Sequence, residues 1–179
     1  PSPNRVGIDV GIESFATLSG GRKFQSPKSI RKLRKKMARL QRLHSRKKKG
    51  SKNREKARLK VARLHQHISD VRTDFLHKLS AQLVRENQAI AIEDLAVSNM
   101  VKNRKLSRVI SEQGWRDFRR MLEYKCEWYG RELLVVDRFF PSSKTCSCCG
   151  AKAELTLKDR VWSCTCGATH DRDVNAAKN

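Results

Sequence analysis

The 179-residue sequence predicts a mixed α/β fold that is interrupted by a long pair of helices and by a small cysteine-rich unit. Three observations support this prediction. Short apolar stretches typical of strands alternate with helical segments. A helical periodicity of three and four residues runs through a very basic region. Five of the six cysteines fall between residues 146 and 166 in close pairs, which is metal-binding rather than disulfide spacing.

The first predicted elements are three strands. Residues 5–10 (RVGIDV) and 15–19 (FATLS) are short apolar stretches separated by a polar turn. Gly20 and Gly21 then indicate a hairpin turn into a third strand at residues 22–26 (RKFQS).

A long basic helical hairpin is predicted next, over residues 28–87, with Pro27 suited to its first turn. Between Lys28 and Arg63 the only acidic residue is Glu55. A solvated face is one explanation of such a charge run, but a face of a single sign repels itself, which favours a polyanionic partner. The apolar residues recur as on the seam of a short antiparallel coiled coil: Ile30, Leu33, Met37, Leu40, Ala57, Val61, Leu64, Ile68, Val71, Phe75, Leu79 and Leu83.

A strand, a helix and another strand are predicted after the hairpin. Residues 88–93 (QAIAIE) predict a buried strand, and residues 98–109 a polar loop. Residues 112–129 predict an amphipathic helix that ends at Gly130, and residues 131–137 (RELLVVD) a further strand. This order of elements suits an RNase H-like α/β fold interrupted by a zinc ribbon.

The chain divides into three predicted segments. Residues 1–140 form the core with its helical hairpin, residues 141–170 the zinc ribbon, and residues 171–179 a final helix that returns to the core. The sequence starts without Met and stops at Asn179, in the second turn of that helix. A missing N-terminal region is therefore expected.

Charge and composition restrict the function classes. The formal net charge is +22 and the isoelectric point about 10.4, so a polyanion such as nucleic acid is the expected partner. A basic protein at a membrane surface is the alternative. The sequence has no run of 18 apolar residues, no signal peptide and no lipidation motif, so no membrane association is expected. Metal-type cysteine pairs favour a reducing, cytoplasmic setting.

Three acidic residues are the candidate catalytic groups: Asp9, Glu93 and Asp173. The first two lie in otherwise apolar predicted strands, where a carboxylate is costly unless it is paired or metal-bound. Phosphodiester hydrolysis by two metal ions requires several carboxylates around one point, and hard oxygen ligands favour Mg²⁺ or Mn²⁺. The sequence therefore predicts a magnesium site formed by these three residues.

Other interpretations of the same residues stay open. Asp94 competes with Glu93, and an acid at the end of a strand is often a turn or capping residue. Asp171 competes with Asp173, and either one could simply cap the last helix. The GIDVG stretch also occurs at phosphate-binding hairpins of actin-like ATPases, although no second glycine-rich hairpin is present.

The cysteine pairs predict one structural zinc ion. Each pair ends in Cys-Gly, and the stretch between the pairs contains a predicted hairpin at residues 153–163 (AELTLKDRVWS). Cys148 is predicted to be spare, because a turn with two intervening residues aims both sulfurs inward, and Cys126 is predicted to lie in the core of a helix. No position stays open for water, so catalysis at zinc is not expected. The four predicted ligands are Cys146, Cys149, Cys164 and Cys166.

Several basic residues are candidate phosphate contacts, each with solvated surface charge as the alternative. They are Arg46, Lys47, Lys48, Lys49, Lys52, Arg54, Lys144 and Arg172. His170 lies beside the last carboxylates, but a single histidine at such a place is more often structural.

Taken together, these stretches resemble the TnpB (OrfB) family of transposon-encoded proteins, relatives of the type V CRISPR effector nucleases. The matching stretches cover nearly the whole chain: GIDVG, SRKKKGSKNREKAR, DFLHKLS, IEDL, DRFFPSSKTCSCCG and HDRDVNAAKN. By motif, Asp9, Glu93 and Asp173 match the family's catalytic triad, and the cysteines match its zinc ribbon apart from a shortened second pair. The family's N-terminal wedge and recognition regions have no counterpart in this sequence.

The resemblance implies a RuvC-type nuclease domain that a transposon-end RNA guides to cut DNA. The expected function is the nuclease half of an RNA-guided DNA endonuclease, with guide RNA and target DNA as partners. One alternative is a nuclease-inactive, RNA-guided DNA-binding regulator, against which the intact triad argues. Another is a transposase or transposition accessory protein, but the sequence has no Tyr or His nucleophile motif for strand transfer.

Overall fold

The computed structural model describes residues 4–156 and 158–179 of the chain. Within them the chain forms seven strands and six helices, in this order: β1 Arg5–Val10, β2 Ala16–Leu18, β3 Lys23–Phe24, α1 Lys28–Ser45, α2 Lys52–Glu86, β4 Ala89–Glu93, α3 Val97–Met100, α4 Ser107–Gln113, α5 Trp115–Trp128, β5 Glu132–Val136, β6 Val161–Ser163, β7 Thr169–Asp171 and α6 Arg172–Lys178.

Two compact units divide the described chain. One comprises the residues up to Gln25 together with Leu79–Asn179, and the other is Ser26–Lys78. The long helix α2 runs through the division without a break. Among the described residues, no helix combines the length and the apolar character needed to span a bilayer.

The larger unit contains a mixed five-stranded sheet with the strand order β3-β2-β1-β4-β5. β1 pairs antiparallel with β2 and parallel with β4, and β4 pairs parallel with β5. Neighbouring parallel strands require a long connection between them, and the helices provide it. The mixed α/β class predicted from the sequence is therefore confirmed.

The alternation of β1 determines where its carboxylate points. Val6, Ile8 and Val10 are buried on one face of the strand, so Gly7 and Asp9 lie on the other. Helix α6 packs against β1 and β2 on the side of Gly7, where a methyl group would overlap the carbonyl oxygen of Ala177. The strand thus directs Asp9 toward the side that α6 occupies.

An apolar core fills the larger unit. The rings of Phe15 and Phe118 meet edge to face, with their centroids 5.2 Å apart. Leu83, Ile90 and Leu122 are fully shielded from solvent, so the end of α2, the central strand β4 and helix α5 all contribute to it. Cys126 is also buried, as predicted for the core of a helix.

The region between β4 and α5 differs from its prediction. Residues 98–109 were expected to form a polar loop, but α3 and the start of α4 lie there. The helix predicted from residue 112 begins instead at Trp115. Gly114 adopts the left-handed conformation, with a φ of 73°, and separates α4 from α5. A glycine tolerates that conformation, which ends one helix and starts the next.

The smaller unit contains the predicted basic hairpin. Helix α1 and most of α2 are joined by the six residues 46–51, and Met37 and Leu64 on the predicted seam are buried. The guanidinium group of Arg54 donates a hydrogen bond to the carbonyl oxygen of Lys47 (2.9 Å) and a longer one to that of His44 (3.4 Å). These bonds satisfy one carbonyl group in the last turn of α1 and one in the connection, and they stabilise residues 46–51, the hairpin tip.

The close approach of α6 to β1 yields a stability test. We predict that Gly7→Ala lowers the free energy of unfolding by about 1–3 kcal/mol or more, because the new methyl group must displace the backbone of α6. Gly20→Ala is the matched control, since a methyl group there meets nothing within 4 Å. Urea unfolding of both variants measures the difference, and equal stabilities would show that α6 does not approach β1 so closely.

Candidate functional site: an uncompensated carboxylate cluster and a thiol cluster

Asp9 and Glu93 lie at the same edge of the sheet. Asp9 is the penultimate residue of β1 and Glu93 the last residue of β4, and these strands are parallel neighbours whose carboxyl ends meet at one edge. Both side chains line one small cavity, together with Ser142 and the Ala176–Ala177 part of α6. The fold therefore brings together two of the three predicted catalytic residues.

Asp173 approaches this edge from a different element. It lies in the first turn of α6 and is half-buried. The pKa of Asp9 is raised to about 8, first by burial and then by the charges of Glu93 and Asp173, while Arg172 and Lys23 act in the opposite direction. Burial also raises the pKa of Glu93. The three predicted carboxylates thus share one electrostatic site in which negative charge is only partly compensated.

Asp94, the competitor of Glu93, has two cationic partners. Its carboxylate forms ion pairs with Arg138 and Arg119. The hydrogen bond from Arg138 lowers the pKa of Asp94, burial works against it, and the bond from Arg119 lowers it further. Asp94 is therefore a neutralised neighbour of Glu93 rather than a carboxylate in need of a cation.

Asp171, the competitor of Asp173, is the N-cap of α6. One of its oxygens accepts hydrogen bonds from the backbone N–H groups of Asp173 and Val174, both at 3.1 Å. The other oxygen pairs with Lys23 at 2.8 Å. Burial acts to raise the pKa of Asp171, but these bonds hold it below its usual range. The cap and the ion pair leave Asp173 as the carboxylate that acts on Asp9.

The three carboxylates influence one another electrostatically, but their oxygen atoms do not all lie within 4.8 Å of one another. Among the described residues, the groups of three or more metal-type side chains whose ligand atoms all lie within 4.8 Å of one another consist of cysteines and one histidine. One ion bound by all three carboxylates at once requires a tighter set than this. A pair of ions roughly 3.5 to 4 Å apart suits the wider arrangement and would offset the accumulated negative charge.

The four predicted zinc ligands come together. Their sulfur atoms all lie within 4.8 Å of one another, with 3.8 Å between Cys146 and Cys166 and 3.6 Å between Cys149 and Cys164. Zn–S bonds of ~2.3 Å in a tetrahedron give sulfur–sulfur distances of roughly 3.8 Å. The cluster therefore fits a structural zinc ion.

The thiol groups also show the electrostatic need for a cation. The backbone N–H of Cys166 lowers the pKa of Cys164 to about 6, which favours the thiolate that binds metal. The N–H of Ala151 acts in the same direction on Cys149, but the neighbouring thiols raise its pKa to about 12. Four thiolates cannot all be charged at this spacing unless a positive ion lies between them.

Two similar turns present the sulfurs, despite their different lengths. The N–H of Gly150 donates to the carbonyl of Cys146, and the N–H of Gly167 donates to that of Cys164, each at 2.9 Å. Both glycines have positive φ, 76° and 88°. The second turn closes over three residues and the first over four, which explains how a pair with one intervening residue still converges.

Cys148 and His170 form a second, overlapping grouping with Cys146. The Nε2 atom of His170 lies 3.1 Å from the Cys146 sulfur, and its ring packs on Trp162 at 4.8 Å. Cys148 is exposed. His170 is buried, and its contacts are those of a residue that positions Cys146, which agrees with its structural interpretation.

The hairpin of the cysteine-rich unit is not where it was predicted. β6 pairs with β7 around the second cysteine turn, so the hairpin spans residues 161–171 instead of 153–163. Within the predicted stretch, Leu157 lies outside the described residues. In the described residues of the earlier part of this unit, an isolated bridge joins Thr145 and Lys152.

The predicted phosphate contacts fall into two groups. Arg54 and Arg172 are engaged with backbone carbonyl groups, Arg172 with that of Thr156 at 3.0 Å. The others are exposed: Arg46, Lys47, Lys48, Lys49, Lys52 and Lys144.

A basic cleft beside Glu93 was not predicted. It has a volume of about 760 Å³ and is bounded by β4, α3 and α5. Four arginines line it, together with the acids Glu93, Asp117 and Glu123: Arg116, Arg119, Arg120 and Arg138. The spacing of the first three, at i, i+3 and i+4, is the sequence signal that could have placed them on one face of α5.

Comparison with known proteins gives matches along the whole chain. Residues 1–104 match the family model OrfB_IS605, described as "Probable transposase", and residues 115–179 match the "Cas12f1-like, TNB domain" model. Two curated relatives carry the name "Putative RNA-guided DNA endonuclease", one from Streptomyces pristinaespiralis and one from Escherichia coli. They are 61% and 40% identical over 97% and 100% of the chain, which spans 44% and 48% of their own lengths.

Solved structures share the fold. The chain matches a protein in a Cas12f1–sgRNA–target DNA complex with a TM-score of 0.68 and 19% identity, over 100% of the chain and 50% of that protein. A second match, in a CRISPR–Cas12f ternary complex, has a TM-score of 0.70 and 21% identity, over 100% of the chain and 38% of that protein.

The thiol cluster leads to a prediction about metal content. We expect one zinc ion per chain, retained in Cys148→Ser and lost in Cys149→Ser, because only the second change removes a sulfur from the tetrahedral set. Elemental analysis of the purified variants measures this, and the near-ultraviolet signal of Trp162 reports local unfolding after chelation. Zinc retained only in Cys149→Ser would instead assign the site to Cys146, Cys148 and His170.

Proposed function

Because the chain belongs to the OrfB_IS605 family, we propose that it is the nuclease part of a transposon-associated, RNA-guided DNA endonuclease. The observation that carries the proposal is the group of Asp9, Glu93 and Asp173 at one edge of the sheet, with its partly compensated negative charge. The chain spans about half the length of the curated relatives it matches, and their names give the activity that we propose for the whole protein.

The sheet supports an RNase H-like, RuvC-type assignment for the core. Three antiparallel strands are followed by two parallel ones in the order β3-β2-β1-β4-β5, with the candidate carboxylates on β1, β4 and the final helix. We propose that residues 1–140 form this nuclease core, residues 141–170 the zinc ribbon, and residues 171–179 the last segment of the core. Four thiols reserved for zinc also suit a reducing cytoplasm.

The carboxylate site suits Mg²⁺ or Mn²⁺. Asp9, Glu93 and Asp173 supply hard oxygen ligands, and burial raises the pKa values of Asp9 and Glu93, so that a cation bound there would favour their ionised forms. Two bound ions would activate the attacking water and stabilise the leaving oxygen of a phosphodiester. The donor set therefore fits the group that the proposed reaction requires.

The neighbouring residues keep the three carboxylates available. Lys23 is paired with Asp171, and Arg119 and Arg138 share Asp94, so none of these three cations forms an ion pair with the predicted catalytic carboxylates. The same arginines line the cleft beside Glu93, where they can attract and orient the phosphates of a nucleic-acid strand. In this arrangement the side chains of the cleft bind and align the strand, and the sheet edge holds the reacting phosphodiester.

We propose guide RNA and target DNA as the partners, because one of the solved complexes that share the fold contains an sgRNA and target DNA. The basic hairpin would bind a nucleic-acid backbone through charge and shape, leaving sequence recognition to base pairing. The candidate backbone contacts at its tip are all exposed to solvent: Arg46, Lys47, Lys48, Lys49 and Lys52. Lys144 and Arg172 near the ribbon, and Arg54 at the tip, are further candidate phosphate contacts.

The central prediction concerns cleavage. In the full-length protein assembled with guide RNA and Mg²⁺, Asp9→Ala, Glu93→Ala and Asp173→Ala should each abolish DNA cleavage and leave DNA binding largely intact. Each loss removes a ligand of the metal pair without touching the basic surfaces. Gel-based cleavage and binding assays measure both properties.

Asp94→Ala and Asp171→Ala are the matched controls, since each removes a neighbouring acid that has its own cationic partner. Both should retain cleavage, and Asp171→Ala should lose about 1 kcal/mol of stability through the missing cap. Normal cleavage by Asp173→Ala but not by Asp171→Ala would reassign the third ligand. Binding by the wild type without any cleavage would favour the nuclease-inactive regulator.

The hairpin tip generates a prediction on salt dependence. Changing Lys47, Lys48 and Lys49 together to Glu should weaken RNA or DNA binding. The slope of log affinity against log salt concentration should also become smaller in magnitude, by about 0.7 to 0.9 for each lost phosphate contact. The fold should survive, because all three side chains are exposed, and circular dichroism checks this.

Changing three lysines of the larger unit to Glu is the control for the change in net charge. Lys102, Lys152 and Lys158 are also exposed, but they lie in the larger unit. Their reversal changes the net charge equally and should leave the slope closer to that of the wild type. Equal slopes for the wild type and the tip variant would show that the tip touches no phosphate.

A further inference from the structure

Phe139 is unusually exposed for a large apolar side chain. It is 85% accessible, and Phe140 beside it is 42% accessible. They follow β5 in the segment that leads to the cysteine-rich unit. An exposed pair of aromatic rings costs solvation free energy, and such exposed apolar surface marks an interaction site.

The backbone holds this aromatic pair in a fixed turn. The carboxylate of Asp137 accepts a hydrogen bond from the N–H of Phe139 at 2.7 Å. The N–H of Phe140 donates to the carbonyl of Asp137 at 3.1 Å, and that of Ser142 to the carbonyl of Phe140 at 2.8 Å. Phe139 is therefore presented to solvent by a defined turn.

The turn lies next to the carboxylate site. Val136, the last residue of β5, is paired with Glu93, and its carbonyl accepts a hydrogen bond from the N–H of Asp94 at 3.0 Å. Phe139 follows Val136 by three residues, a reach of at most about 10 Å. Arg138, between them, pairs with Asp94 and lines the basic cleft.

The cleft can contact phosphates through its arginines. Arg119, Arg120 and Arg138 are ion-paired with acids, whereas Arg116 is exposed and forms no ion pair among the residues that the structure describes. A phosphate entering the cleft would therefore find Arg116 available.

We propose that Phe139 is a stacking platform for an unpaired base of the nucleic-acid strand whose phosphates enter this cleft. The inference deepens the proposed function by naming the residue that engages a base beside the cut site. Arginine for the backbone and an exposed aromatic ring for the bases are the two components of single-strand binding.

Trp128 provides a matched control. It is an exposed aromatic residue as well, with 74% accessibility, but it ends α5 just before β5 begins. Trp128 therefore precedes the start of β5, whereas Phe139 follows its end. Loss of Trp128 removes a comparable exposed ring from the edge of the sheet that lies away from Glu93.

The test is a binding cycle that measures no cleavage. Fluorescence anisotropy gives the affinity of the chain, with its zinc retained and magnesium omitted, for a labelled thymidine single strand and for the same strand with abasic nucleotides. Phe139→Ala should weaken binding of the thymidine strand roughly five- to 150-fold. Phe139→Leu should weaken it similarly, Phe139→Trp should preserve it, and Trp128→Ala should leave it unchanged.

On the abasic strand the wild type and Phe139→Ala should bind equally, because no base is left to stack. The inference is overturned if the wild type does not bind the thymidine strand, if Phe139→Ala behaves like Trp128→Ala, or if the loss persists on the abasic strand. Circular dichroism confirms that the variants are folded. Since cleavage plays no part, failure here leaves the carboxylate triad untouched, and failure of the triad leaves this result untouched.

Discussion

Burial of Asp9 beside two other carboxylates is the constraint on which the rest of the larger unit depends. An ionised group in this position is unfavourable without a cation, and its pKa of about 8 expresses that cost. Arg172 and Lys23 offset only part of this cost, and Lys23 forms its ion pair with Asp171. Arg119 and Arg138 form theirs with Asp94, so under the proposed function the remaining negative charge would be compensated by metal ions.

The cysteine-rich unit helps to hold the third carboxylate in place. β7 runs directly into α6, which carries Asp173. The buried side chain of Asn175 accepts a hydrogen bond from the N–H of Ser147 (3.0 Å) and donates one to the carbonyl of Thr145 (2.7 Å). These bonds join α6 to the first cysteine turn. A structural zinc ion would therefore support the carboxylate site without taking part in the chemistry.

The sequence was sufficient to predict the five strands of the main sheet, the long helices and the thiol set, because hydrophobic periodicity and cysteine spacing are local signals. It left Glu93 and Asp94 as rivals, because the arginines that neutralise Asp94 come from α5 and from the end of β5. It misplaced the start of α5, since the break depends on the left-handed conformation of Gly114. The basic cleft depends on tertiary packing and was not predicted.

The most direct test of the uncompensated carboxylate site is thermal unfolding of the wild-type chain and of Asp9→Asn, with and without Mg²⁺. Without the ion, Asp9→Asn should unfold at a higher temperature than the wild type, by about 2–4 °C for each kcal/mol of repulsion removed. Addition of Mg²⁺ should raise the unfolding temperature of the wild type far more than that of the variant. A wild type that does not respond to Mg²⁺, and is more stable than Asp9→Asn without it, would contradict the account.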